Sequence, residues 1–176
     1  MRWQLAFAFA GLLVAVPIAS LTDMDPVATV QLALLASLMA AVAVTDYLTY
    51  RVPDPLVLAM VASGLGFAYA LAGVAGLFEA ALRVALVGAV LVALREIYFR
   101  WRGFDGLGLG DIKLMAAAGA WMDIAGLAHA VLFAALAALA LAGLVAAWRG
   151  WDAMRRLPFA TFLAPSIVAA WFAAHW

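Results

Sequence analysis

Two aspartates stand out because their surroundings are apolar and because a pair of carboxylates can perform acid–base chemistry without a metal. Asp46 lies near the end of the run "LMAAVAVTDYLTY", and Asp111 lies in "GLGLGDIKLMAAAGAW". Two carboxylates a few ångströms apart oppose full ionisation of both, so such a pair holds one proton between them. One acid then takes a proton from water while the other protonates or polarises a carbonyl group. This chemistry, which hydrolyses peptide bonds in soluble aspartic proteases, needs no metal and no cofactor.

Glycines occupy every second position before Asp111, at 106, 108 and 110. Glycine permits unusual backbone angles and the close approach of another chain, so an extended substrate could pair with this backbone. Asp111 is predicted to lie at or near a helix N-terminus, where the helix dipole favours an anion. Lys113 follows at roughly 200° around the helix. We therefore expect Lys113 to point away from Asp111, towards lipid headgroups or a substrate carboxylate.

The composition is that of an integral membrane protein. Of the 176 residues, 70% are hydrophobic and only 11% are charged, and the mean hydropathy is +1.13. Average proteins contain about 25% charged residues, which a soluble domain needs for its surface. The formal net charge is zero, which indicates no nucleic-acid partner. The sequence contains no cysteine, which excludes disulfides and thiolate zinc sites.

The apolar segments predict an all-α bundle of seven transmembrane helices. They run over 3–21, 27–46, 55–75, 77–99, 108–122, 124–147 and 158–175. Most are long enough to cross ~30 Å of hydrocarbon as a helix. The first run could be misread as a signal peptide, but its length and the acidic turn after it favour a retained helix.

The basic residues predict the orientation, because arginine and lysine mark cytoplasmic loops. With Arg2 inside, the loops carrying Arg51, Arg95–Arg102 and Arg149–Arg156 all return inside. Only Arg83, of ten basic residues, falls nearer the outer side. Two crossings separate Asp46 from Asp111, so both are predicted on the cytoplasmic side. The same alternation argues against a re-entrant hairpin at 108–122.

Other polar residues remain open to more than one interpretation. Asp54, Glu96 and Asp105 share the predicted side, and spacing alone leaves each of them open as the second acid. Asp54, in the turn "VPDP", is predicted to cap the third helix, whereas Asp105 and Glu96 are predicted to be solvated or paired with arginines. The segment "REIYFRWRGF" is predicted to anchor the chain at the membrane interface.

The residues around both aspartates resemble the type IV prepilin leader peptidases, which are membrane aspartic proteases with a GxGD motif. The resemblance covers roughly residues 38–176. It rests on "TDYLTYRVPDPL" around Asp46, on "GLGLGDIKLMAAAGAWM" around Asp111, and on "RRLPFATFLAPS" before the last helix. The second of these blocks is the most specific.

The resemblance implies that Asp46 and Asp111 are catalytic and that Gly108, Gly110 and Lys113 belong to the motif that positions the substrate. It implies prepilin or pseudopilin substrates in the bacterial inner membrane. Their basic leader stays in the cytoplasm and is cleaved at the membrane boundary, usually after a glycine. Residues 1–176 are then one peptidase domain, with an extra helix over 1–21 and a six-helix catalytic core over 27–176.

Two features depart from the family pattern. Long members carry a cytoplasmic domain with paired cysteines and methylate the new N-terminus, whereas this sequence has no cysteine and is similar to a peptidase-only form. Ala160 and Thr161 stand where the family often has Gly-Pro, which leaves Pro158 and Phe159 with a role only in starting and packing the last helix.

Competing interpretations are weaker. Presenilin and signal peptide peptidase also use "GLGD", but they pair it with Tyr-Asp and a later Pro-Ala-Leu, whereas Thr45 precedes Asp46 in this chain. A small proton-coupled transporter or channel could use both aspartates as carriers, although it would favour acids nearer mid-bilayer. A purely structural membrane subunit is the third alternative. The oligomeric state is not predicted by the sequence.

Overall fold

A computed structural model describes residues 24–149 and 159–175, and the regular structure in these ranges is α-helical. The helices are α1 (Pro26–Thr49), α2 (Asp54–Arg102), α3 (Leu109–Ala118), α4 (Ile124–Arg149) and α5 (Phe159–His175). The all-α prediction is therefore confirmed. The predicted helix over 3–21 and the arginines at 155 and 156 lie outside the described residues.

Helix α1 begins at a capped N-terminus and ends shortly after Asp46. The Asp25 carboxylate accepts hydrogen bonds from the backbone N–H groups of Val27 (3.1 Å) and Ala28 (3.4 Å). These groups have no acceptor within the helix, so the cap supplies one. At the other end, Tyr50 adopts a left-handed conformation (φ 52°), and its N–H donates to the Asp46 carbonyl at 2.7 Å. This turn ends the helix within one turn of the first aspartate.

Helices α1 and α5 pack against each other through apolar side chains at helical spacing. Large side chains that are fully buried lie on both helices: Leu35, Met39 and Val42 on α1, and Leu163, Ile167 and Trp171 on α5. On each helix, spacings of three or four residues place these side chains on one face. The packing brings the last turn of α1 beside the first turn of α5.

Helix α2 is broken at Gly73, which has non-helical backbone angles (φ 64°, ψ −149°). A Cβ atom at Gly76 would lie 2.5 Å from the carbonyl oxygen of Ala68. In a straight helix those two residues would be about 12 Å apart along the axis. The chain therefore bends sharply at Gly73, where a positive φ favours glycine. The two arms, 54–72 and 74–102, match the predicted segments 55–75 and 77–99.

Helix α3 packs along α2, and the segment at its C-terminal end is held by two polar contacts. Trp121 donates its indole N–H to the Met60 carbonyl at 2.8 Å, and Arg83 donates Nε–H to the Gly119 carbonyl at 3.0 Å. A cation near the last carbonyls of a helix also interacts favourably with the helix dipole. Arg83, the exception to the predicted charge pattern, therefore stabilises the end of α3.

Three helical stretches are long and apolar enough to cross a membrane: Pro26–Thr49, Asp54–Arg102 and Ile124–Leu144. They support a multi-pass membrane protein. Helix α3 has 10 residues and is therefore about 15 Å long, half the hydrocarbon thickness. Helix α5 has 17 residues and is shorter than a typical span. The prediction of seven transmembrane helices is not confirmed, because only these three stretches of the described residues are long and apolar enough to be spans.

The described residues form two compact units. One unit is 51–127 and contains α2 and α3. The other combines residues up to Tyr50 with those from Ala128 onwards, and it contains α1 and α5. Asp46 belongs to the unit with α1, and Asp111 belongs to the unit with α3.

The close packing of α2 on α3 predicts different effects for two nearby glycines of α2. A Cβ at Gly64 would lie 2.7 Å from Ala120 Cβ and 2.8 Å from the Trp121 ring, whereas a Cβ at Gly66 would meet nothing within 4 Å. We expect Gly64→Ala to lower the free energy of unfolding by about 1–3 kcal/mol, as overpacking does. Gly66→Ala is the matched control and should be neutral or slightly stabilising. Thermal unfolding in detergent, followed by circular dichroism, measures both; equal midpoints would contradict this packing.

Candidate active site

Asp46 is buried and accepts two hydrogen bonds from one residue. Its side chain and backbone together are 6% exposed. Oδ2 accepts from the backbone N–H of Thr161 at 2.9 Å and from the Thr161 hydroxyl at 3.1 Å. The same hydroxyl lies 3.3 Å from the carbonyl oxygen of Ala43, one turn before Asp46 on α1. Thr161 therefore joins the first turn of α5 to the last turn of α1.

The dipole of α1 disfavours the Asp46 carboxylate, whereas the dipole of α5 favours it. The C-terminal end of α1 carries the negative pole of that helix's dipole, which disfavours an anion there. Thr161 is the third residue of α5, and the N–H groups of a first turn have no acceptor within their helix. The Asp46 carboxylate supplies that acceptor and lies at the positive pole of α5. This contact thus gives the buried Asp46 carboxylate a donor and gives a first-turn N–H group of α5 an acceptor.

Asp111 occupies the third position of α3, in the first turn, as the sequence predicts. It is half-buried. Gly108 is the N-cap residue of the helix, and a Cβ atom at Gly108 would lie 2.9 Å from Asp111 Oδ2. The carboxylate therefore folds back over the start of its own helix, into space that any other residue at 108 would reduce. The dipole of α3 itself therefore favours the Asp111 carboxylate, whereas Asp46 is favoured by the dipole of a neighbouring helix.

Gly110 and Lys113 lie on one face of α3 and contact the start of α2. A Cβ at Gly110 would lie 3.0 Å from Val52 Cγ2 and 3.3 Å from Val52 Cβ, so glycine permits this close approach. Lys113 Nζ forms an ion pair with Asp54 Oδ1 at 2.7 Å. Residues three apart are neighbours on a helix surface, so these two contacts form one attachment. It connects the helix that carries Asp111 to the segment 52–54.

The prediction that Asp54 caps its helix is wrong. The N-cap residue of α2 is Pro53, which makes no side-chain capping hydrogen bond, and Asp54 is the first residue of the helix. Its carboxylate instead reaches Lys113 on α3. The reason is tertiary: packing of α3 beside α2 offers a cation, and a charged partner gives a stronger hydrogen bond than a backbone amide.

Three other acids were candidates for the second catalytic acid, and each of them forms an ion pair with a basic side chain. Asp54 pairs with Lys113, Glu96 with Arg100 at 2.8 Å, and Asp105 with Arg95 at 2.7 Å. The predicted pairing of Glu96 and Asp105 with arginines is confirmed. Their side chains are each 55% exposed. Asp46 differs from all three because its carboxylate is buried and accepts from the uncharged groups of Thr161.

The loop before α3 folds back on the end of α2. Asp105 of this loop pairs with Arg95, and the Phe104 ring meets Tyr98 edge-on with centroids 5.5 Å apart. A Cβ at Gly106 would lie 2.6 Å from the Tyr98 ring. The glycines at 106, 108 and 110 therefore have different neighbours: an aromatic ring, the Asp111 carboxylate and Val52. The pairing of an extended substrate with this backbone stays a prediction.

Thr161 is the site residue that sequence reasoning missed. In the sequence it stands out only as a departure from the family's Gly-Pro pattern. A hydroxyl residue near the start of the predicted last helix is the available signal, because first-turn N–H groups attract carboxylates. Nothing in the sequence, however, indicates that α5 begins beside Asp46.

The fold and these side chains define a class, a multi-pass helical membrane protein with aspartates beside the N-termini of two helices. The model of the Type IV leader peptidase family matches residues 33–143, which include Asp46 and Asp111. The chain therefore belongs to that family.

Several curated proteins named prepilin leader peptidase/N-methyltransferase are similar to the chain. Identity is 38% over 144 residues with that of Burkholderia pseudomallei, covering 78% of the chain and 44% of the relative. It is 34% over 139 residues with that of Pectobacterium carotovorum, covering 74% and 47%. With that of Pseudomonas aeruginosa it is 33% over 129 residues, covering 70% and 41%. The chain thus spans less than half the length of these relatives. No solved structure gives a significant match.

The ion pair between Lys113 and Asp54 predicts a small, measurable coupling. Both side chains are about half exposed or more (49% and 67%), so the pair should contribute at most about 1 kcal/mol to the free energy of unfolding. We expect Lys113→Gln to destabilise the protein by this amount, and to have no further effect in an Asp54→Asn background. A double-mutant cycle from chemical unfolding in detergent measures it. Additive effects of the two substitutions would contradict the pair.

Proposed function

We propose that this protein is a membrane-embedded aspartic endopeptidase that removes the basic leader from type IV prepilins or pseudopilins. The observation that carries the proposal is the family match over residues 33–143, which contains both aspartates. The names of the relatives add the substrate class, because these proteins are called prepilin leader peptidases. The two acids of the proposed site are Asp46 and Asp111.

The proposed mechanism brings the two carboxylates to one water molecule, with one proton shared between them. The ionised acid takes a proton from the water molecule, and the oxygen of that water adds to the scissile carbonyl carbon. The protonated acid gives its proton to the carbonyl oxygen. Collapse of the tetrahedral intermediate breaks the C–N bond, and the leaving amine takes up a proton from the dyad.

The local contacts of Asp46 differ from those of the three other acids that share its predicted side. A general acid or base has to contact the substrate and the catalytic water, whereas an ion pair engages the carboxylate with a cationic side chain instead. Asp54, Glu96 and Asp105 are in ion pairs with Lys113, Arg100 and Arg95 respectively. Asp46 is held by the uncharged N–H and hydroxyl groups of Thr161.

The motif residues around Asp111 have separate parts in the proposal. Gly108 leaves room for the Asp111 carboxylate, and Gly110 allows α3 to approach Val52. Lys113 holds α3 to Asp54 and so positions the helix against which substrate binds. We propose that the scissile segment binds extended along the glycine-rich backbone of residues 106–110, because glycine permits the close approach of another chain.

The proposed location is the bacterial inner membrane, with the N-terminus and the active site on the cytoplasmic side. The distribution of arginines supports this orientation, because basic loops stay in the cytoplasm. The basic leader of a prepilin would then meet the site from the compartment where it is synthesised. Cleavage would fall at the membrane boundary, beyond the end of the substrate's apolar helix.

The dyad predicts that either aspartate alone is insufficient. We expect Asp46→Asn and Asp111→Asn each to lower the rate of leader cleavage at least ~100-fold, the usual contribution of an acid–base group. Glu96→Gln is the control, since this exposed acid pairs with Arg100 of its own helix. The assay is a mobility shift of a co-produced prepilin on a gel after incubation with the purified protein.

The same assay separates the alternatives. Full cleavage by both single variants would overturn the dyad. Proton flux into liposomes without any proteolysis would favour a transporter instead. Adding a methyl donor tests the peptidase-only prediction independently of cleavage.

Gly108 predicts a second, subtler loss. In Gly108→Ala the new Cβ would lie 2.9 Å from Asp111 Oδ2, so the carboxylate has to move. Misplacing a reacting group by about 1 Å can cost ~100-fold, and we expect a loss of at least ~10-fold in kcat. Gly143→Ala is the matched control, because a Cβ at Gly143 on α4 would meet nothing within 4 Å. Wild-type kcat in Gly108→Ala, measured in the same cleavage assay, would show that the glycine is not needed for this reason.

A further inference from the structure

Thr161 surrounds one oxygen of Asp46 with two donors. Its backbone N–H lies 2.9 Å and its hydroxyl 3.1 Å from Oδ2. Both hydrogen bonds come from a single residue in the first turn of α5, which is packed on α1. Rotation of the Asp46 carboxylate about its terminal bond would break both, so its plane is fixed.

We propose that Thr161 is the positioning residue of Asp46, an inference that rests on the proposed function. The two donors occupy Oδ2 and direct Oδ1 to the catalytic water. The proton that Asp46 exchanges during the reaction is therefore carried on Oδ1. Thr161 lies beyond residues 33–143, which the family model matches.

The Ala43 carbonyl gives the Thr161 hydroxyl a second acceptor. A hydroxyl has one hydrogen, and it can point to Oδ2 at 3.1 Å or to the Ala43 oxygen at 3.3 Å. The carboxylate is the stronger acceptor when it is ionised. When Asp46 is protonated and accepts more weakly, the hydroxyl can turn to Ala43. Thr161 thus keeps a hydrogen bond in both protonation states and need not move during the reaction.

The hydroxyl and the methyl group of threonine can be separated by substitution. Thr161→Val keeps the shape and the backbone N–H but removes the hydroxyl, whereas Thr161→Ser keeps both donors. Losing a hydrogen bond to a charged group lowers an equilibrium or rate by roughly 10- to 100-fold. We expect Thr161→Val to lower kcat at least ~10-fold with KM changed less than about twofold, and Thr161→Ser to retain kcat within about threefold.

A purely structural role would give a different pattern. It would change the amount of folded protein, and not the kcat of the folded fraction. Thr29→Val serves as the matched control, because the Thr29 hydroxyl donates to the Asp25 carbonyl within the start of α1, remote along the helix from Asp46. It should leave kcat and KM unchanged.

A second measurement does not depend on cleavage. In a double-mutant cycle with Asp46→Ala, Thr161→Val should lower the unfolding midpoint by roughly 2–6 °C in the wild-type background and by much less in the Asp46→Ala background. Equal shifts in the two backgrounds would overturn the contact itself.

The outcomes distinguish this inference from the proposed function. Wild-type kcat in Thr161→Val, while Asp46→Asn is inactive, would overturn the positioning role and leave the peptidase intact. An equal loss in Thr161→Val and Thr161→Ser would also overturn it. No cleavage by the wild-type chain, together with intact coupling in the cycle, would overturn the peptidase and leave the Thr161–Asp46 contact standing.

Discussion

The contact between the Asp46 carboxylate and the first turn of α5 is the constraint on which the site depends. A buried carboxylate without hydrogen bonds is costly, and one at the C-terminal end of its own helix is opposed by the helix dipole as well. The N–H and hydroxyl groups of Thr161 donate hydrogen bonds to this carboxylate, and the N–H belongs to the positive end of the α5 dipole. This polar contact joins the last turn of α1 to the first turn of α5, beside the apolar side chains that both helices bury.

The second acid, Asp111, also lies at a helix N-terminus, but the helix is its own. Asp111 lies in the first turn of α3, and the glycine at the N-cap leaves its carboxylate room to fold back. Asp54 and Asp105 of the same unit are neutralised in ion pairs, which attach α3 and the loop before it to α2. Asp54 and Asp105 are thus paired with cations, whereas Asp46 is held by the neutral donors of Thr161.

Much of this could be predicted from the sequence. The helical class, the break near Gly73 and the position of Asp111 in a first turn follow from apolar runs, a permissive glycine and the loop before a helix. The prediction failed where packing overrode local pattern. Residues 108–122 are apolar enough for a span, yet α3 ends at Ala118, where Gly119 lies close to α2 and Arg83 holds its carbonyl. Asp54 has the sequence context of a cap and is an ion-pair partner.

The sequence by itself determined the chemistry available to this protein: an apolar chain without cysteine, with two aspartates at segment ends, one of them in a "GLGD" run. These are properties of residue type and local spacing, which a linear pattern contains. Only the tertiary structure decided which neighbours each acid meets. Thr161 lies 115 positions beyond Asp46 along the chain, and Lys113 lies 59 beyond Asp54. No local rule relates such residues, because helix packing alone brings them into contact.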